Sequence, residues 1–134
     1  MKFLFGVFIV LHGFVHMLYF AQSRRLFELK TGMLWPDGSW ALSAFFEDKT
    51  VRSLASVFCV LAAVGFAVGG LGILVGKAWW YPLIVGSSVF STVLFILFWD
   101  GKMRKLDDQG GIALLINTAI LVVVFILQWP DVGL

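Results

Sequence analysis

Apolar positions along this chain fall into four long blocks, at residues 3–21, 54–76, 79–99 and 110–129, separated by stretches that collect nearly all the charge. Each block is close to the roughly 20 residues that a helix needs to cross a bilayer. Their ends carry helix punctuation. Pro82 suits a first helical turn. Asp107 and Asp108 precede the fourth block, where carboxylates favour a helix N-terminus, and Trp129-Pro130 ends it. Trp79, Trp80, Tyr81, Trp99 and Trp129 all fall at block ends, where interfacial anchors are expected. The pattern predicts an all-α membrane protein: one domain over 1–134, folded as an antiparallel four-transmembrane-helix bundle.

The first connection, 22–53, is long and structured in pattern. Residues 23–34 mix Leu26, Phe27, Leu29 and Met33 with charges, which predicts a short helix lying in the interface. Trp35-Pro36-Asp37-Gly38 is a turn signal, with Pro at the second position and Gly at the fourth. Residues 40–46 are apolar but too short to span, and are expected to dip into the headgroups or to cover the bundle.

Composition agrees with lipid as the solvent. Of 134 residues, 60% are hydrophobic and 13% charged, with mean hydropathy +0.96; a soluble domain carries about 25% charged residues. The net charge of +2 is modest and forms no long basic stripe, which argues against nucleic acid as a partner. A single cysteine, Cys59, excludes an intrachain disulfide.

The basic residues are sorted. Arg24, Arg25, Lys30, Lys49 and Arg52 lie in the first connection, and Lys102, Arg104 and Lys105 in the third; Lys2 and Lys77 alone fall on the other side. The positive-inside rule then makes 22–53 and 100–109 cytoplasmic and places both termini outside. Lys2 before an apolar run resembles the start of a signal peptide, but Tyr19-Phe20-Ala21 is a poor cleavage site and none is expected.

Glycines at four-residue spacing, Gly65 with Gly69 and Gly72 with Gly76, allow close approach of helix backbones. They serve either packing within the bundle or a homo-oligomer face. Gly6 and Gly13 are expected to do the same on the first span.

Few polar side chains sit at membrane depth, and an ionisable one there is a functional-site candidate by default. His12 and His16 are four residues apart in LHGFVHMLYF and share one face of a helix. A lipid-facing imidazole would leave a polar edge without a partner, so both are expected to face inward. Asn117 and Thr118 lie midway along the fourth block. Ser87, Ser88, Ser91 and Thr92 form a hydroxyl ladder on the third, with Asp100 at its cytoplasmic mouth. Ser56 and Cys59 are expected at a similar depth to His16, Asn117 and Ser91. No carboxylate lies deep in any span.

Three readings follow. The first is structural, with interhelical hydrogen bonds worth about 0.6 kcal/mol each on average. The second is a pocket in which His12, His16, Asn117, Ser91, Thr92 and Asp100 hold a quinone, lipid or isoprenoid-like molecule by its polar groups. The third is a metal or haem, for which i, i+4 histidines have suitable spacing; a zinc site wants a third protein ligand, and one helix cannot offer two histidines to opposite faces of a haem. A proton relay lacks carboxylates to continue it. The residues offer no nucleophile–base–orienter triad and no phosphate-binding glycine loop. Catalytic residues and any cofactor beyond a quinone or lipid stay open.

His12-Gly13 with His16, Arg52 at the start of the second span, Trp79-Trp80 before the third, and FWDG at 98–101 followed by an Asn in the fourth together resemble small four-helix membrane proteins of bacteria and archaea, the DoxX-like families. The resemblance implies a four-helix bundle in a prokaryotic cytoplasmic membrane, and an association of some members with quinone-linked redox complexes favours the pocket. The long Trp- and Pro-containing first loop departs from that pattern. The sequence therefore predicts a non-catalytic binder or accessory subunit holding an apolar ligand between helices. The alternatives are a membrane oxidoreductase component using His12 and His16, and a small transporter or pore, for which a charged lining is lacking.

Overall fold

The structure, a computed structural model, describes residues 2–26, 35–37, 39–99 and 111–127. Four helices follow one another: α1 (Lys2–Ser23), α2 (Asp48–Val75), α3 (Trp80–Leu97) and α4 (Gly111–Leu121), the last continuing into a π-helical segment, Val122–Ile126. Three of them, α1 to α3, are long and apolar enough to cross a membrane. The fourth apolar helix, Gly111–Ile126, is shorter than these three and than the expected block 110–129: Leu127 already leaves the helix, and residues 110, 128 and 129 lie outside the described residues.

Large apolar side chains cover the outside, while a few polar ones are buried among the apolar core. His12, His16, Gln22, Ser88, Ser91 and Asn117 are buried, while Leu4, Leu11, Phe14, Leu61, Val75 and Leu115 are exposed. An exposed apolar surface on this scale is stable only against hydrocarbon, so the chain is an integral membrane protein.

Helix α2 begins six residues before its apolar block. Hydropathy marks only the stretch inside lipid, whereas Asp48 in the first turn favours extending the helix into the interface by its interaction with the helix dipole. Its far end is closed by Gly76 in the left-handed conformation (φ 71°), where a Cβ would be strained. Pro82 lies in the first turn of α3, as expected.

Glycines set the helix spacing. A Cβ on Gly70 would lie 2.8 Å from the Gly6 carbonyl oxygen and 3.1 Å from the Val10 nitrogen, and one on Gly13 would lie 3.0 Å from the Ala63 oxygen. Thus α1 and α2 touch backbone to backbone and run antiparallel. Gly65, Gly69 and Gly72 face Ser87, Ile84 and the Trp79-Trp80 pair of α3, so these three are used inside the chain. Trp80, expected at the interface, is instead buried against Gly72, which leaves room for the indole; Trp79 is exposed.

The first connection covers one end of the helices. Residues 23–26 complete and turn off α1 rather than opening a new helix, with Arg25 in the left-handed region (φ 58°); 27–34, the rest of that expected helix, lie outside the described residues. A turn follows at 35–37, with Trp35-Pro36 in cis. Trp35 is buried against Tyr19, Phe95 and Phe98. Residues 39–46 form a strap across the end of α3: Ser39 Oγ donates to the Leu97 oxygen, the Trp40 N–H to the Trp99 oxygen at 2.8 Å, and Trp40 Nε1 to the Ile96 oxygen at 2.6 Å. Arg25 and Arg52 converge on Asp37 at 2.9 and 2.8 Å, tying the ends of α1 and α2 to the same turn.

Candidate functional site

Between two apolar clusters, one under the strap around Trp35, Phe95 and Phe98 and one toward the opposite end around Phe66, Trp80 and Ile84, lies a layer of polar atoms. Helix α1 brings His12 and His16 to it, one turn apart on the inward face. Helix α3 brings Ser91, and α4 brings Asn117. All four are buried, and His16, Ser91 and Asn117 are entirely inaccessible.

Their hydrogen bonds form a directional circuit. His16 Nδ1 lies 3.0 Å from the His12 carbonyl oxygen, which only accepts, so the Nδ1–H of His16 donates. His16 Nε2 is then the acceptor, and it takes the Ser91 hydroxyl proton across 2.6 Å. Ser91 Oγ in turn accepts from Asn117 Nδ2 at 2.9 Å. Asn117 Oδ1 accepts from His12 Nε2–H at 2.8 Å. The chain starts on the His12 ring and returns to the His12 backbone. Each imidazole carries one proton and is neutral, as a site without a buried counter-ion among the described residues requires. Phe66 of α2 completes the layer, packing against both rings at centroid distances of 4.7 and 5.2 Å.

Of the residues expected to form one site, the structure therefore brings together His12, His16, Ser91 and Asn117. Thr92 does not join them; its hydroxyl bonds the Ser88 carbonyl on its own helix. Asp100 lies outside the described residues. Ser56 turns back to the Ser53 carbonyl, and Cys59 is buried in the apolar cluster beneath the strap, so neither reaches the layer. Thr118 points away from it, exposed, with its hydroxyl on the Leu114 carbonyl. Phe66 was not singled out in the sequence; the available signal is a single large ring within a run of small residues, AAVGFAVGG.

Ser91 and His16 have the connectivity of a nucleophile and its base, with the His12 carbonyl orienting the ring, an arrangement that residue spacing alone did not reveal. Ser91 has no exposed surface, and one of its oxygen lone pairs accepts from the Asn117 amide.

Beside the layer, on the outer side of α3 and α4, runs an apolar groove of about 290 Å³ lined by Val85, Val89, Thr118, Leu121, Val122, Phe125 and Ile126. The π-helical segment makes one wall; the Leu127 N–H reaches back five residues to the Val122 oxygen at 2.9 Å. Such widened turns are frequent at functional sites. With Thr118 tied to its own backbone, the groove presents no free hydrogen-bonding group.

No family model, curated protein or solved structure matches this chain.

Proposed function

We propose that this protein is a small non-catalytic membrane binder or accessory subunit that seats the hydrocarbon chain of a membrane lipid, acyl or isoprenoid, in the groove between α3 and α4. In this reading Gly111–Ile126 is a fourth crossing. The observation that carries the proposal is the pairing of Asn117 and Thr118 on one turn of α4. Asn117 is locked into the circuit with α1 and α3, and its neighbour Thr118 lines the groove. The polar layer thus fixes the position of the groove wall, while the groove supplies an apolar concavity, as hydrocarbon sites do.

Reconstitution with a phosphatidylcholine carrying a photoactivatable acyl chain tests it. Crosslinks should concentrate on Val85, Val89, Leu121 and Phe125. Val89→Trp, which fills the groove, should remove them with helix content and melting temperature unchanged. Labelling spread evenly over all lipid-facing helices and indifferent to Val89→Trp refutes the groove. A fluorophosphonate that labels Ser91 in the folded protein refutes the non-catalytic reading.

A further inference from the structure

Two buried polar atoms, one on the His12 ring of the circuit and one on Ser88, a helical turn from Ser91, have no hydrogen-bond partner among the described residues: His12 Nδ1 and Ser88 Oγ. His12 is 3% exposed and Ser88 not at all. Because His12 Nε2–H is committed to Asn117, Nδ1 is a bare lone pair that needs a donor. Ser88 has a hydroxyl proton that needs an acceptor.

The two residues belong to the same level of the molecule. Helices α1 and α3 both pack antiparallel to α2 and therefore run in the same direction, and the His16–Ser91 bond fixes their register. One turn back from His16 is His12, and one turn back from Ser91 is Ser88. Ser88 also lies between Val85 and Val89 in sequence, on the inward side of the groove wall that those valines form.

We infer that His12 Nδ1 and Ser88 Oγ are the two ends of a buried seat for one hydroxyl group. A hydroxyl meets both needs at once: its proton goes to Nδ1 and its lone pair takes the Ser88 proton. A ketone or quinone carbonyl meets only the second, since it has nothing to donate to Nδ1. The hydroxyl belongs either to a water molecule or to a membrane alcohol or hydroquinone whose chain lies in the groove. The second source rests on the proposed function; the first does not.

Solid-state NMR of the full chain with ¹⁵N-labelled histidine, in phosphatidylcholine vesicles, reads the seat directly. The His12 Nδ1 resonance should lie to lower frequency than a bare imine nitrogen, and Ser88→Ala should move it back while leaving His16 unmoved. If the displacement is present in phosphatidylcholine alone, with polarisation arriving from water protons, the seat holds water. If it is present only after farnesol is added, and absent with the matching hydrocarbon farnesene, the seat takes a lipid-borne hydroxyl. A bare-imine Nδ1 under all these conditions overturns the seat, as does a protonated Nδ1 or a displaced resonance indifferent to Ser88→Ala. The groove is tested separately by its crosslinks, so a water-filled seat with an unlabelled groove removes the proposed function and leaves the seat standing.

Discussion

Asn117 uses both ends of its amide, accepting from His12 and donating to Ser91. Asn117→Leu keeps a comparable volume but leaves the buried His12 N–H without its acceptor. A buried donor stripped of its partner costs about 1–3 kcal/mol, so the variant should melt at lower temperature in detergent. Ser91→Ala should also destabilise, because His16 Nε2 loses its donor. Adding Ser91→Ala to Asn117→Leu should cost clearly less than the two single changes added together, since they break one connected network; full additivity would show that the circuit is not a unit. His16→Phe keeps the ring contacts with Phe66 and Phe95 and should isolate the hydrogen-bonding part of the loss. His12, His16, Ser91 and Asn117 stand among the polar candidates the sequence offers at membrane depth, but which candidates join the layer was not legible. Nor was the pairing. Thr92 and Ser56 look equivalent to Ser91 on paper, yet a carbonyl three or four residues back on their own helix satisfies them first.

At the level of elements, the positions of close contact separate into rigid and yielding ones. A Cβ on Gly70 would meet backbone atoms of Gly6 and Val10, whereas on Gly69 it would meet the side chain of Ile84. Gly70→Ala should therefore lower stability by about 1–3 kcal/mol, the usual cost of overpacking. Gly86, with nothing within 4 Å of its would-be Cβ, is the control: Gly86→Ala should stabilise α3 by up to about 1 kcal/mol through helix propensity. Equal melting shifts in the two variants would contradict the packing. Gly69→Ile, which adds far more than a methyl, should loosen α2 from α3. The three long helices were readable from hydropathy because lipid demands an uninterrupted apolar run. The early start of α2 was not, since an interfacial turn can be polar. Nor does period distinguish a π-helical segment from continued α-helix in VVVFI, where every side chain is apolar.

For the whole molecule, the strap and four of the six described basic residues belong to one end. Arg24 and Arg25 follow α1, Lys49 and Arg52 open α2, and the strap meets the last turn of α3, while Lys77 lies at the opposite end between α2 and α3. On the positive-inside rule the strapped end is expected to be cytoplasmic. A cysteine placed after Leu134, with Cys59 replaced, should react with an impermeant thiol reagent in intact cells. One placed at Ala44, exposed on the strap, should not; the reverse pattern would invert the orientation. Asp37→Asn removes the carboxylate charge that Arg25 and Arg52 share and should expose residues 24–47 to proteolysis. In the unaltered protein, added salt should produce a weaker version of the same effect by screening.

The strap also has a place in biogenesis. Ser39 and Trp40 bond to carbonyls of Leu97, Ile96 and Trp99, nearly sixty residues downstream. At a synthesis rate of roughly 5–20 residues per second, the ribosome makes the strap about 3–12 s before its anchor exists. During that interval Trp35 has Tyr19 of α1 beside it but not Phe95 and Phe98, and Trp40 has none of its carbonyl partners. Docking of the strap thus reports that the α2–α3 hairpin has been inserted, and a nascent chain halted before residue 96 should carry this segment undocked, open to the insertion machinery and to proteases alike.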